Sequence, residues 1–182
     1  MLGAMEIRCD AIIPFPRPLV FATYRDKLTN LLPFLPNIRN IETMERKEEP
    51  GIVHLVNVWH GGGEIPAVAR AFVSASMLSW TDLATWREAD METDWKVQPH
   101  SFQDAVSSQG VNRYVETPEG ARLEIRGDLT IDASKIKGVP RLLSARVGRA
   151  VEDFMVKLIS QNLLDVSKGV TRYLKENREQ SA

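Results

Sequence analysis

The chain has 182 residues, of which 43% are hydrophobic and 26% are charged. This composition is globular and excludes a disordered, collagen-like or coiled-coil protein, and the length predicts one domain, residues 1–182, around one core. The 23 basic and 24 acidic residues leave a net charge of −1, which provides no overall attraction to nucleic acid or anionic lipid.

The first elements in the chain are a predicted strand and two short helices. Apolar and charged residues alternate roughly from Glu6 to Ile13, which predicts a strand. Pro18 suits the start of a helix, because a proline there sacrifices no helical hydrogen bond. The apolar residues between Asn30 and Pro36 predict a second short helical turn that Pro36 ends.

A hairpin and an insertion come next. The β-type runs Ile38–Glu48 and Ile52–His60 are joined by the turn residues 49–51, which predicts a hairpin. Apolar residues at helical spacing from Ile65 to Met77 predict a helical insertion after the third strand. We interpret the three glycines before it as a hinge. The segment Gly61–Ser79 is then either a lid over a cavity, a surface for a membrane or protein partner, or a fixed packing helix.

The last part of the chain predicts four more strands and one long amphipathic helix, which runs from Pro140 to Tyr173 with apolar residues every three or four positions. Sequential strands with segregated helices predict an α+β fold, in which a curved seven-stranded antiparallel sheet wraps around the C-terminal helix. An apolar space between sheet and helix is where a small molecule would bind. The four strands are Leu83–Glu88, Glu92–Pro99, Asp104–Glu116 and Arg122–Ile131.

The compartment is predicted from the cysteine count and from hydropathy. Cys9 is the single cysteine, which excludes an internal disulfide and favours a reducing compartment. No apolar run approaches the roughly 20 residues that span a bilayer, and the first five residues lack the features of a signal peptide. We expect a cytoplasmic protein without a transmembrane segment.

The segment Ile13–Phe21 and the residues that follow it resemble the opening of START-related helix-grip proteins, the SRPBCC superfamily. A proline after the first strand, an aspartate in the first helix and a proline before the second strand form its loose signature, which Pro14 or Pro16, Asp26 and Pro36 match. The superfamily includes coenzyme Q-binding proteins and polyketide cyclases. The resemblance implies a helix-grip fold that binds lipids, sterols, quinones or polyketides, with cyclisation or dehydration chemistry in some members. The insertion departs from the usual hairpin at that place.

Aromatic side chains are the first candidates for the wall of a ligand cavity. A tryptophan supplies a large rigid surface and one N–H donor, which suits a flat apolar ligand such as a quinone. Ordinary core packing is the alternative for each of the four tryptophans. Trp95 and Val97 share one face of their strand, so we expect Trp95 to point inward. The predicted wall comprises Trp59, Trp86, Trp95, Val97 and Tyr114.

Two arginines and three histidines are the polar candidates. Arg87 and Arg113 alternate in step with apolar strand residues, so we predict that either guanidinium enters the cavity to bind a carboxylate or carbonyl. The alternative is an arginine that reaches water or pairs with an acidic neighbour. His54 and His60 would lie about 20 Å apart on one strand, and His100 lacks a partner at ligand spacing. We therefore predict neither a metal nor a cofactor.

Three functions remain open at this level. The leading hypothesis is a non-catalytic protein that encloses a hydrophobic small molecule, such as a lipid, quinone or polyketide-like aromatic, with segment 61–79 gating entry. The second is a cyclase or dehydratase in which Arg113, Tyr114 or His54 polarises a carbonyl or moves a proton. The third is an interaction module that uses segment 61–79. Peripheral membrane contact is compatible with the first, and no nucleic-acid partner is expected.

Overall fold

One antiparallel sheet of seven strands, in the order β1-β7-β6-β5-β4-β3-β2, is the framework of the molecule. The computed structural model describes residues 4–62, 64–65, 70, 74–101, 103–135 and 144–179. Every neighbouring pair of strands is antiparallel, as the sequence predicts. The strands are β1 Met5–Ile13, β2 Ile38–Glu49, β3 Ile52–Gly61, β4 Ser79–Arg87, β5 Glu92–Pro99, β6 Val106–Thr117 and β7 Gly120–Ile131.

The helices lie on one side of this sheet. Helix α1, Arg17–Asp26, carries Pro18 in its first turn and is followed by a 3₁₀ helix, Leu28–Phe34. The long helix α2, Ser144–Glu179, has 36 residues and is about 54 Å long. Asp26, the aspartate of the signature, accepts a hydrogen bond from Arg46 of β2 at 2.9 Å, so it ties the end of α1 to the sheet.

The predicted fold is confirmed, with differences at element boundaries. Gly51 has a φ of +73° in the β2–β3 turn, a conformation that glycine adopts without strain. Strand β4 begins at Ser79, before the predicted Leu83, because strand pairing with β3 continues through these residues. The predicted helix Ile65–Met77 lies largely outside the described residues, and its described end is a 3₁₀ turn. The predicted start of α2 at Pro140 also lies outside them.

The two faces of the sheet have different roles. In β7, Leu123, Ile125 and Leu129 are buried on the face that carries the helices, which we call the inner face. Arg122 and Glu124 lie on the opposite, outer face, as their alternation predicts. Residues that pair across adjacent strands share a face, so the register extends this assignment across the sheet.

Helix α2 packs closely over one side of the inner face. Val166, Val170 and Leu174 are buried. Gly169 lets α2 approach the end of the 3₁₀ helix, where a Cβ on this residue would lie 3.3 Å from Phe34 Cβ. Among the described residues, α2 packs most extensively on β1 and the 3₁₀ helices and less on β7, with no comparable packing on β3, β4 or β5. The inner face of these three strands is therefore the part of the sheet that α2 does not approach closely. In the described part of the chain, neither helix is both long and apolar enough to cross a membrane.

Candidate functional site

On the inner face of β3, β4 and β5, the strand register places three of the four tryptophans around one carboxylate. Trp59 pairs with Trp80 across β3 and β4, and their rings stack with centroids 5.9 Å apart and planes inclined by 11°. Two residues further along β4, on the same face, Asp82 pairs with Asn57 of β3 and with Val97 of β5. Two residues further again, Ala84 of β4 pairs with Trp95 of β5. The indoles thus lie on both sides of one acidic side chain.

Asp82 is held by a chain of hydrogen bonds that crosses three strands. The Thr43 hydroxyl on β2 donates to Asn57 Oδ1 at 2.9 Å, which turns the Asn57 amide nitrogen toward the Asp82 carboxyl. Burial raises the pKa of Asp82 to about 6, although the Asn57 amide and the Trp59 indole lower it in part. The Trp59 Nε1–H acts on the carboxyl electrostatically, because it forms no hydrogen bond of normal geometry.

The surroundings of Asp82 indicate an internal space. The carboxyl is deep enough in the protein for burial to dominate its pKa, yet the residue is only half-buried by accessible surface. Trp59, Trp80, Trp95 and Val97 are likewise half-buried, although all of them lie on the inner face. Accessible surface on an inward-facing set of side chains indicates unfilled space above β3–β5, and apolar walls with one polar group are typical of ligand pockets.

Trp95 is fixed in this wall by a hydrogen bond and by two glycines. Its Nε1–H donates to Asn112 Oδ1 at 2.9 Å. Gly110 and Gly127 pair across β6 and β7 beneath its ring, and a Cβ on either would lie 2.5 or 2.8 Å from a Trp95 ring carbon. Real Cβ atoms do not approach so closely, so the paired glycines allow the indole to lie close against β6 and β7.

The end of the inner face beneath α1 is filled by aromatic side chains. Phe21 makes edge-on contacts with Trp86 and Tyr114, at centroid distances of 5.1 and 5.2 Å. Tyr24 also contacts Tyr114, and its hydroxyl donates to Ser167 Oγ of α2 at 2.9 Å. Burial raises the pKa of Tyr114 well above its usual range. Trp86 and Tyr114 are therefore on the predicted face but packed into the core.

Arg87 and Arg113 do not enter the space, which corrects the prediction made from their alternation. Both lie on the outer face, where Arg113 Nε donates to Glu92 at 2.7 Å and Arg87 pairs with Glu92 and Asp94. The prediction is wrong because the outer face also carries apolar residues such as Leu83, half-buried beside long polar side chains. Alternation with apolar neighbours therefore did not identify the inner face here.

The histidines also lie away from the space. His54 is on the outer face, with Nδ1 3.1 Å from Thr85 Oγ1, and His60 lies near Glu42. His100 contacts the hydroxyls of Ser79 and Thr81. In the described ranges there is no group of three or more acidic, histidine or cysteine side chains arranged to hold a metal ion.

Two open grooves lie elsewhere on the surface. One of about 490 Å³ lies between β1, the 3₁₀ helix and α2, near Pro36 and Lys168. The other, of about 970 Å³, lies on the outer face near Arg113 and Arg126. Both are open to solvent, so neither would remove most of the surface of an apolar ligand from water. The inner-face site is therefore the stronger candidate.

Asp82 and Asn57 were missed by the sequence reasoning. The predicted strand began at Leu83, so Asp82 fell in an unassigned connection rather than on a strand face. The sequence did carry a pattern that could have found Asp82. Every second residue from position 80 to 86 belongs to one strand face, namely Trp80, Asp82, Ala84 and Trp86. An acidic residue among tryptophans on one strand face is unusual both for a hydrophobic core and for a solvent-exposed surface, and it indicates a candidate site.

Family models and curated proteins give no match to the sequence. Solved structures do match. The protein TTHA0849 from Thermus thermophilus has a TM-score of 0.67 at 15% identity, over 93% of this chain and 99% of that one. The Zhui aromatase/cyclase from Streptomyces sp. R1128 has a TM-score of 0.65 at 14% identity, over 95% and 94%. Norcoclaurine synthase from Thalictrum flavum has a TM-score of 0.59 at 11% identity, over 96% and 88%.

These likenesses extend over nearly the whole of this chain, and at 11–15% identity they show its fold. They confirm at the level of fold the resemblance that Pro14 or Pro16, Asp26 and Pro36 suggest. The chain has a helix-grip fold, in which an antiparallel sheet packs against a long C-terminal helix.

Proposed function

We propose that the protein binds a hydrophobic small molecule in the space between α2 and the inner face of β3–β5. The observation that carries this proposal is that Trp59, Trp80, Trp95 and Val97 keep accessible surface while facing inward. Apolar side chains on an inner face normally close on one another, because each exposed Å² costs about 25 cal/mol. Side chains that stay accessible there are placed to contact a ligand.

A poorly satisfied donor on one indole fits the same proposal. Trp59 Nε1–H lowers the pKa of Asp82 but is buried and makes no hydrogen bond of normal geometry. A buried donor without a well-formed hydrogen bond costs as much as about 3 kcal/mol, and a ligand acceptor would reduce that cost. An aromatase/cyclase and a norcoclaurine synthase share the fold, which supports the handling of a small organic molecule. A quinone or a polyketide-like aromatic would stack on such a wall.

A cyclase or dehydratase that works in the same space is the second candidate. Asp82 favours it, because a carboxyl with a pKa of about 6 exchanges its proton close to neutral pH. Of the three residues first considered for this role, Arg113 and His54 lie on the outer face, and Tyr114 lies on the inner face but is packed against Phe21 and Tyr24 of α1. Turnover of a bound carbonyl compound that is lost in Asp82→Asn, with binding retained, would favour the enzyme over the carrier.

A matched pair of variants on β5 tests the proposed binding space. Val97→Phe places a ring in the space, whereas Lys96→Phe adds the same ring on the exposed outer face one residue away. The full chain is titrated with 2-methylnaphthalene, and quenching of tryptophan fluorescence is followed. We expect Val97→Phe to weaken binding at least about tenfold and Lys96→Phe to leave it within about twofold.

Equal effects of the two variants would contradict the proposed location. Circular dichroism and the thermal midpoint establish that each variant is folded. If Val97→Phe does not fold, Val97→Met fills part of the same space with a flexible side chain and is compared with Lys96→Met.

A further inference from the structure

Asp82 is the one charged side chain that the described register places between the Trp59–Trp80 pair and Trp95. The interactions that act on its carboxyl are burial and two neutral donors, with no cation among them. The acid therefore has no counter-charge from its neighbours in the described part of the protein. The side chains facing it from β2, β3 and β5 are all uncharged: Thr43, Asn57, Trp59 and Val97.

The next nearest elements supply no described counter-charge either. On edge strand β2, Arg46 also faces α1, but its guanidinium donates to Asp26 at 2.9 Å. On the corresponding half of α2, the charged residues whose side chains the structure describes, Arg149, Asp153 and Lys157, are exposed. A buried carboxylate without a cation is unfavourable, and core packing at this position would be better served by an apolar side chain. A bound cationic group would offset the free-energy cost of this unpaired carboxylate.

The carboxyl is also held in a fixed direction. Asn57 is 2% exposed and is itself oriented by the Thr43 hydroxyl, so a contact from β2 fixes the donor to Asp82. A hydrogen-bonded support of this kind positions a recognition group and limits its rotation. The Asn57 amide uses one acceptor site of the Asp82 carboxyl and leaves the other acceptor sites for a ligand.

The stacked indoles of Trp59 and Trp80 are the next residues to Asp82 on the inner face, toward the start of β4. Trp80 is two residues from Asp82 on the same face, about 7 Å along the strand, and Trp59 stacks on it. Indole faces attract cations, and the attraction grows when water is excluded. A carboxylate and an indole pair at this separation can bind the two ends of one small molecule, its cationic group and its ring.

From this geometry we propose that the site selects a flat apolar ligand that carries a basic nitrogen, with the protonated amine bound to Asp82 and the ring against Trp59 and Trp80. This deepens the proposed function and rests on it. Ligands with a carboxylate are disfavoured, because Asp82 would repel them and the arginines expected to bind an acid lie on the outer face.

Three probes with one ring system test this selection on the full chain: 2-naphthylmethylamine, 2-methylnaphthalene and 2-naphthoic acid. The amine is expected to bind about tenfold more tightly than the hydrocarbon or better, and the acid most weakly, as follows from the strength of charged hydrogen bonds. Asp82→Asn is expected to remove the advantage of the amine while the hydrocarbon stays within about twofold. Asp128→Asn, an exposed aspartate on the outer face, is the matched control and leaves all three unchanged.

The outcomes separate this inference from the proposed function. If none of the three probes binds, both fail. If the hydrocarbon binds as tightly as the amine, or Asp82→Asn leaves the amine unaffected, the selection for a basic nitrogen is wrong and the apolar site stands. Should Asp82→Asn not fold, the wild-type protein still decides: amine affinity falls between about pH 8 and pH 5 if Asp82 binds it, and stays flat if it does not.

Discussion

The Trp95 ring lies against Gly127, so closely that a Cβ there would be 2.8 Å from two ring carbons and 2.6 Å from the Gln109 carbonyl oxygen. The glycine of β7 therefore sets the height of an indole on β5, two strands away. We expect Gly127→Ala to lower the free energy of unfolding by about 1–3 kcal/mol, because neither the ring nor the backbone can yield freely. Urea denaturation measures this change.

Ser107→Ala on the exposed face of β6 is the control for that substitution, and its effect should stay within about 0.5 kcal/mol. A shift in the near-ultraviolet circular dichroism of Gly127→Ala reports the displaced indole. Wild-type stability in Gly127→Ala would contradict the close contact.

Asp82→Asn should stabilise the protein at neutral pH. The pKa of Asp82 is about 6 in the folded protein and near 3.8 when unfolded, so between these values the folded state binds more protons and wild-type stability falls as the pH rises. Asparagine does not titrate and avoids this loss. We expect a gain of roughly 1–3 kcal/mol at about pH 7.5 that shrinks toward zero near about pH 4. A gain that is independent of pH would contradict the raised pKa.

Tyr24→Phe should loosen the contact between α1 and α2. The Tyr24 hydroxyl donates to Ser167 Oγ, which donates onward to the Leu163 carbonyl oxygen. Removing the hydroxyl is expected to cost about 0.5–1.5 kcal/mol in the free energy of unfolding. Tyr173→Phe removes a hydroxyl from half-buried Tyr173 of α2 without touching this bond, so a larger loss in Tyr173→Phe than in Tyr24→Phe would contradict the assignment.

Arg113→Ala should leave ligand binding unchanged. Its guanidinium pairs with Glu92 on the outer face and is 60% exposed, so the pair contributes at most about 1 kcal/mol to stability. Probe affinity measured by fluorescence should stay within about twofold of wild type. A tenfold loss would return this arginine to the binding site and overturn its placement.

Much of the fold could be predicted from local sequence patterns. The alternation in β7 and the turn at Gly51 are each decided by neighbours within a few residues, so both were predictable. The pairing of Gly110 with Gly127 was not, because it depends on the register of two strands and on where the Trp95 ring comes to lie. No local pattern encodes that contact.

The positions of the candidate residues on the sheet were predictable in part for the same reason. Trp95 and Val97 were placed on the inner face by strand periodicity, which a short segment is enough to define. The side of the sheet on which Arg87 lies depends on which face the helices cover, and alternation alone leaves that choice open. Placing Asp82 on a strand face required knowing where β4 begins. That boundary is set by the pairing of β4 with β3, which the sequence does not show.

Native mass spectrometry of the purified full chain, followed by organic extraction and identification of the released compound, tests the central claim most directly. The account predicts one hydrophobic molecule per chain that leaves on extraction. An empty protein whose thermal midpoint does not shift with lipids, quinones, aromatic polyketides or aromatic amines would contradict it.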